Sequence, residues 1–117
     1  MTSSLHTPTP VVLTAEQVAD VPPRPLGAIA GVTNRVLWTD GTSMAGVLTV
    51  EAGHRLGSHT HRQNHHHMWV LEGTAVVLGT ELGPGGYVHI PDGVEHDIDA
   101  RGSRGCTVFY LYLRPGD

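Results

Sequence analysis

A chain of 117 residues holds one domain, long enough to bury roughly two-thirds of its unfolded surface in a single core. Its formal charge of −4, with no block of basic residues, argues against nucleic acid or an anionic membrane as the main partner. All seven positive residues are arginine, which excludes Schiff-base chemistry and a lysine general base. Cys106 is the sole cysteine, so no intrachain disulfide can form, and its apolar surroundings (Cys106-Thr107-Val108-Phe109-Tyr110) mark it as a packed core thiol. No stretch approaches the ~20 apolar residues of a membrane-spanning helix, and the first residues lack a charged segment ahead of an apolar one. The expectation is a cytoplasmic protein.

Residues 1–33 read as an N-terminal arm and linker, and 34–117 as a β-domain. The first ten residues are rich in Thr, Ser and Pro. Val11-Val12-Leu13 follows as a short edge strand, and Thr14 and Gln17 have the spacing of a capping box for one helical turn. The run Val21-Pro22-Pro23-Arg24-Pro25 ends that helix in an extended linker. From there the chain reads as strands over 34–39, 43–51, 56–61, 66–71, 74–78, 87–90, 94–99 and 106–113, divided by Gly- and Pro-containing turns. Short, regularly spaced strands with almost no helix indicate an all-β sandwich or barrel. A homodimer is also expected, with residues 5–13 adding an edge strand to the partner, because an apolar segment of that kind calls for cover.

Histidine supplies the chemistry. Five of the nine histidines fall in the nine positions from His59 to His67, and His96 follows on a later strand. His59 and His61 are two apart, so on a strand both imidazoles face one way and can share an ion. In Val94-Glu95-His96-Asp97-Ile98-Asp99-Ala100 the even positions are apolar apart from His96, and the odd positions are acidic. This alternation buries His96 and leaves Glu95, Asp97 and Asp99 as a solvated edge. Three or four imidazoles converging inside a small barrel suit one divalent transition metal: Fe, Mn, Zn, Ni or Cu. The plainer reading of His65-His66-His67 is a surface run that meets metals only incidentally.

Two spacings resemble those of the cupin superfamily. Gly53, five residues, His59-Thr60-His61, four residues, His66, six residues, Gly73 is similar to its first motif. Gly85, five residues, Pro91-Asp92-Gly93, two residues, His96 is similar to its second. The resemblance implies an antiparallel jelly-roll β-barrel with a metal in the lumen and His59, His61 and His96 among its ligands. The family usually has Glu where His66 stands and Asn where Ala100 stands, so the implied site is a four-imidazole one. The count to Gly73 selects His66, and His65 and His67 should face away unless a bulge reverses them. The stretch from Gly86 to Phe109 also resembles the branch holding ChrR-type anti-sigma factor domains and the diketone-cleaving dioxygenases.

Four neutral ligands leave the full charge of a divalent ion uncompensated, which favours an anionic or enolisable guest. Three activities follow as expectations. The first is dioxygenase-type cleavage of a diketone-like or phenolic substrate; the second is a non-oxidative isomerase, cyclase or lyase; the third is a non-catalytic metal- or ligand-binding sensor. No general base stands out. Gln63, His65, Met44, Met68, Phe109 and Tyr110 are further candidates for contact with metal or substrate, Asn64 is a loop residue of the same kind, and Trp38 and Trp69 belong to the core or to a subunit interface.

Overall fold

The computed structural model describes residues 9–59 and 64–115. Apart from one short helix, α1 (Ala15–Asp20), its elements are strands: β1 (Arg24–Pro25), β2 (Val32–Thr39), β3 (Met44–Val50), β4 (His65–Val77), β5 (Thr80–Leu82), β6 (Tyr87–Ile90) and β7 (Asp99–Leu113). All pairings are antiparallel, in the order β1-β2-β3-β7-β4-β5, with β6 paired to β4 on the edge opposite β7. The all-β expectation holds. Among the described residues, no helix is long and apolar enough to cross a membrane.

The capping box forms as read. The Gln17 amide N–H donates to Thr14 Oγ1 at 3.1 Å, and the Thr14 N–H donates to Gln17 Oε1 at 2.9 Å. Two of the orphan N–H donors at the helix start are thereby satisfied. Val11-Val12-Leu13, by contrast, forms no strand. The free edge of β2 is occupied by Arg24–Pro25, which folds back on Asn34 and Thr33. Val11 and Leu13 lie instead beside Trp38 and Phe109 on the outer face of the sheet.

Strand alternation decides what reaches the interior. β3 and β7 pair Met44 with Tyr112, Gly46 with Tyr110, Leu48 with Val108 and Val50 with Cys106, and these even positions face inward. Directly opposed residues share a face, so the strands deliver matched layers of side chains. β4 points His66, Met68 and Val70 inward, then changes parity so that Ala75 and Val77 are buried. Register irregularities between Val70 and Glu72 and between Gly73 and Thr74 make the change. A continuous strand therefore replaces the two read over 66–71 and 74–78. The reverse holds for the strands read over 56–61 and 94–99, where residues 56–59 and 94–98 form no strand and the described residues make isolated bridges, Arg55 to Asp99 and His59 to His96; 60 and 61 lie outside the described residues. Ile90 and Ile98, at 1% and 2% exposure, close the core, each side chain contributing about 1.5–3 kcal/mol by burial. Cys106 is 2% exposed, and burial pushes its thiol up to about 11, as suits a packing residue.

Gly73 makes the bulge sterically feasible. Its φ is +75°, and a Cβ there would stand 1.9 Å from the Gly105 carbonyl oxygen. Gly73→Ala combines left-handed strain with a backbone clash, and should cost about 2–5 kcal/mol. Urea unfolding checks this; a loss below about 0.5 kcal/mol would mean that the bulge can relax without its glycine.

Candidate metal centre

The segment carrying His59 runs antiparallel to the one carrying His96. The His59 N–H donates to the His96 carbonyl at 2.9 Å, and the His96 N–H returns a bond to the His59 carbonyl at 2.8 Å. Residues paired this way project to the same side, and the two rings meet with centroids 4.2 Å apart. Each ring is also held by backbone. His59 Nδ1 lies 2.7 Å from the Gly57 carbonyl oxygen, and His96 Nδ1 lies 2.9 Å from that of Val94. A carbonyl only accepts, so Nδ1 carries the hydrogen in both rings and Nε2 is left with its lone pair. Metal-binding histidines adopt this tautomer and use this kind of anchor, so both residues fit a bound ion by the chemistry of their donors. Burial pushes the His96 pKa down, outweighing the Val94 carbonyl, and keeps the ring neutral as a ligand must be.

His66 enters from β4. It is registered opposite Ile90 and Tyr112, with its ring 5.5 Å from that of His96 and edge-on to Tyr112 at 4.6 Å. The three imidazoles line one cavity of about 470 Å³, walled largely by apolar side chains such as Leu26, Ile29, Leu48, Met68 and Ile98. That volume lies within the range of small-molecule sites. Its polar additions are Asn34, Ser58, Tyr110 and Tyr112, and no carboxylate is among the described lining residues. The Tyr110 hydroxyl donates to Asn34 Oδ1 at 2.9 Å. Gly46 makes room for this phenol, since a Cβ there would lie 2.5 Å from the Tyr110 hydroxyl oxygen. Burial raises the pKa of both phenols, so they stay protonated at neutral pH.

The His59 segment is secured by Asp97, which does not belong to a solvated edge as its acidic neighbours suggested. Asp97 Oδ2 accepts from Arg55 Nε at 2.7 Å, and Oδ1 accepts from the Gly57 N–H at 2.8 Å. Burial alone would raise the Asp97 carboxyl, but the Arg55 and Gly57 donors outweigh it and hold it below the usual carboxylate range. Gly57 is thus fixed at both ends, its N–H by Asp97 and its carbonyl by His59.

The other candidates divide by face. Met44, Met68 and Tyr110 line the cavity. Phe109 does not. One residue out of phase with Tyr110, it faces outward and packs on Trp69 at 5.8 Å, so it does not line the luminal cavity. His65, also out of phase with the lumen, meets His67 and His89 on the outer face instead. One ring nitrogen from each of these three lies within 4.8 Å of the others, a spacing that can hold a metal. Trp38 and Trp69 likewise occupy the outer face. Asn64 ties its loop to the β2–β3 turn by donating to the Thr42 carbonyl at 3.0 Å. His61 and Gln63 lie outside the described residues. Sequence reasoning passed over Tyr112, Asn34 and His89. Alternation could have found the first from Tyr110, and the third from its place one residue before buried Ile90.

A family model described as the ChrR cupin-like domain matches residues 13–114. No curated protein matches the sequence. Among solved structures, the polyketide cyclase RemF from Streptomyces resistomycificus superposes with a TM-score of 0.75 at 22% identity, over 89% of this chain and 82% of that one. A predicted oxalate decarboxylase from Thermotoga maritima gives 0.74 at 15% identity, over 83% and 96%. The Rhodobacter sphaeroides complex of SigE with the anti-sigma factor ChrR gives 0.67 at 28% identity over 80% of this chain, which spans 49% of that one.

Asp97 provides a test of the site's scaffold. Because its folded pKa is depressed, its contribution is present at neutral pH and is lost as pH falls below about 4, through the folded value. Asp97→Asn should therefore be less stable than the parent at pH 7, with the difference closing in acid. The same substitution should weaken Zn(II) binding roughly 10-fold, by freeing Gly57 and through it His59. Equal stability at all pH values together with unchanged Zn(II) affinity would show that Asp97 is not a clamp.

Proposed function

The chain belongs to the ChrR cupin-like domain family, and from that premise we propose that it is a small metalloenzyme acting on an enolisable substrate. In this reading His59, His61, His66 and His96 hold one divalent transition ion, whether Fe, Mn, Zn, Ni or Cu, and a diketone-like or phenolic molecule binds beside it. The observation that carries the reading is the pair of anchored rings, His59 and His96, whose Nδ1 atoms are spent on backbone carbonyls. When bound, such an ion supplies a Lewis acid whose charge no carboxylate among the described lining residues offsets.

The chain's own residues do the rest. An apolar wall restricts water, which strengthens the attraction between the cationic site and an enolate or phenolate oxygen. The phenols of Tyr110 and Tyr112 add polarity to the wall without adding negative charge, the Tyr110 hydrogen being donated to Asn34. The reaction placed first is oxidative: a diketone and one O2 give a carboxylic acid and a dicarbonyl fragment, both oxygen atoms ending in the products and no external reductant being consumed. A second reading is non-oxidative isomerisation, cyclisation or elimination through an enolate, favoured by the neutral phenol of Tyr112 in the cavity wall, a group able to return a proton to carbon or oxygen. The polyketide cyclase among the structural neighbours belongs to that chemistry by its name.

Turnover of a panel of β-diketones and phenols, with the protein loaded in turn with Fe(II), Mn(II), Zn(II) and Ni(II), separates the two. The first reading expects O2 uptake with Fe(II) or Mn(II), reduced at least about 100-fold by His96→Ala. Turnover without O2 would transfer the assignment to the second. Silence across metals and substrates, with the ion bound, would overturn both and leave a binding module.

A further inference from the structure

Strand β4 presents histidine on both of its faces. His66 points into the cavity, while His65 and His67 project from the opposite side of the sheet. There His67 stands directly across from His89 of β6, and His65 reaches the same residue diagonally. His65 Nδ1 is 3.0 Å from His89 Nε2, and the His67 and His89 rings stack at 4.7 Å. We propose that His65, His67 and His89 form a second metal site, which binds one divalent transition ion on the outer face independently of the luminal histidines.

Four features support it. Tetrahedral coordination at about 2.0–2.1 Å places ligand nitrogens about 3.3 Å apart. The His65–His89 nitrogens are already near that separation, and small side-chain rotations bring the third in from within 4.8 Å. The backbone is preorganised, because two ligands sit two apart on one strand and the third lies on a hydrogen-bonded neighbour. His67 Nδ1 is hydrogen-bonded to the Tyr87 hydroxyl, and with that oxygen accepting, as the outer partner of a metal-binding imidazole does, Nε2 is left for the ion. Finally, Trp69 lies beside Tyr87 at 5.0 Å and forms an aromatic wall on one side of the trio.

A set of imidazole nitrogens selects Zn, Ni or Cu over Mg or Ca, which require oxygen ligands. Three protein ligands leave a fourth position for water or an added anion. The ion would also join β4 to β6, so its binding should raise the unfolding temperature. The luminal and outer sets share no residue, and the sheet separates them.

Zn(II) bound per chain, measured on untagged protein after desalting, tests the proposal. The parent should retain two ions, and His89→Gln and His65→Gln one each, with the circular dichroism of both variants unchanged. His96→Ala should retain the outer ion. One ion in the parent that is lost in His89→Gln and kept in His96→Ala would support the outer site and contradict the luminal one. One ion lost in His96→Ala and kept in His89→Gln would overturn the outer site and leave the luminal one standing. Two ions retained by both His89→Gln and His65→Gln would likewise overturn it.

Discussion

The two-residue period of β4, held in register by β6 on one side and β7 on the other, is the constraint on which the molecule's chemistry depends. Three consecutive histidines on a flexible loop would be interchangeable ligands. On a paired strand they are sorted, His66 to the cavity and His65 and His67 to the outside. A slip of one residue would exchange the faces, placing two imidazoles in the lumen and moving Met68 and Val70 out of the core. Burial of those apolar neighbours therefore stabilises the placement of His66, and core packing and site geometry rest on the same register.

A second layer of control is electrostatic. Rings held by carbonyls at Nδ1, phenols kept protonated by burial and an apolar wall produce a lumen without fixed negative charge among its described lining residues. A carboxylate ligand in the place of His66 would cancel one unit of a divalent ion's charge; imidazole leaves it available to a guest. Asp97 supplies its negative charge one residue from His96 yet faces the other way, towards Arg55 and the Gly57 amide. Alternation thus lets a carboxylate brace the site without entering it.

Much of this was legible in the residues, for reasons that differ between segments. The capping box, the turn glycines and strand 87–90 were readable because each depends on local chemistry. His96 could be assigned to the buried face because residues 94–100 alternate strictly, and it is 4% exposed. Three features were not readable. The merger of 66–71 and 74–78 into one strand depends on a bulge opposite Gly105, a contact distant in sequence. Residues 11–13 form no strand within the chain, and Arg24–Pro25 occupies the edge of β2, a pairing set by residues distant from 11–13. The role of Asp97 required knowing that Arg55 and Gly57 lie against it, and nothing local to 94–99 reports that. Phe109, a candidate for substrate contact alongside Tyr110, is turned outward by the parity of that neighbour.

The central claim is that the luminal imidazoles are ligands and not simply hydrogen-bonded core histidines. Anomalous diffraction from crystals of Zn(II)-loaded protein, collected on both sides of the Zn absorption edge, tests it most directly. The account predicts a peak in the lumen about 2.0–2.1 Å from Nε2 of His59 and of His96, with His66 in the same shell. A lumen without that peak, in crystals whose bound Zn(II) is confirmed by fluorescence, would contradict it.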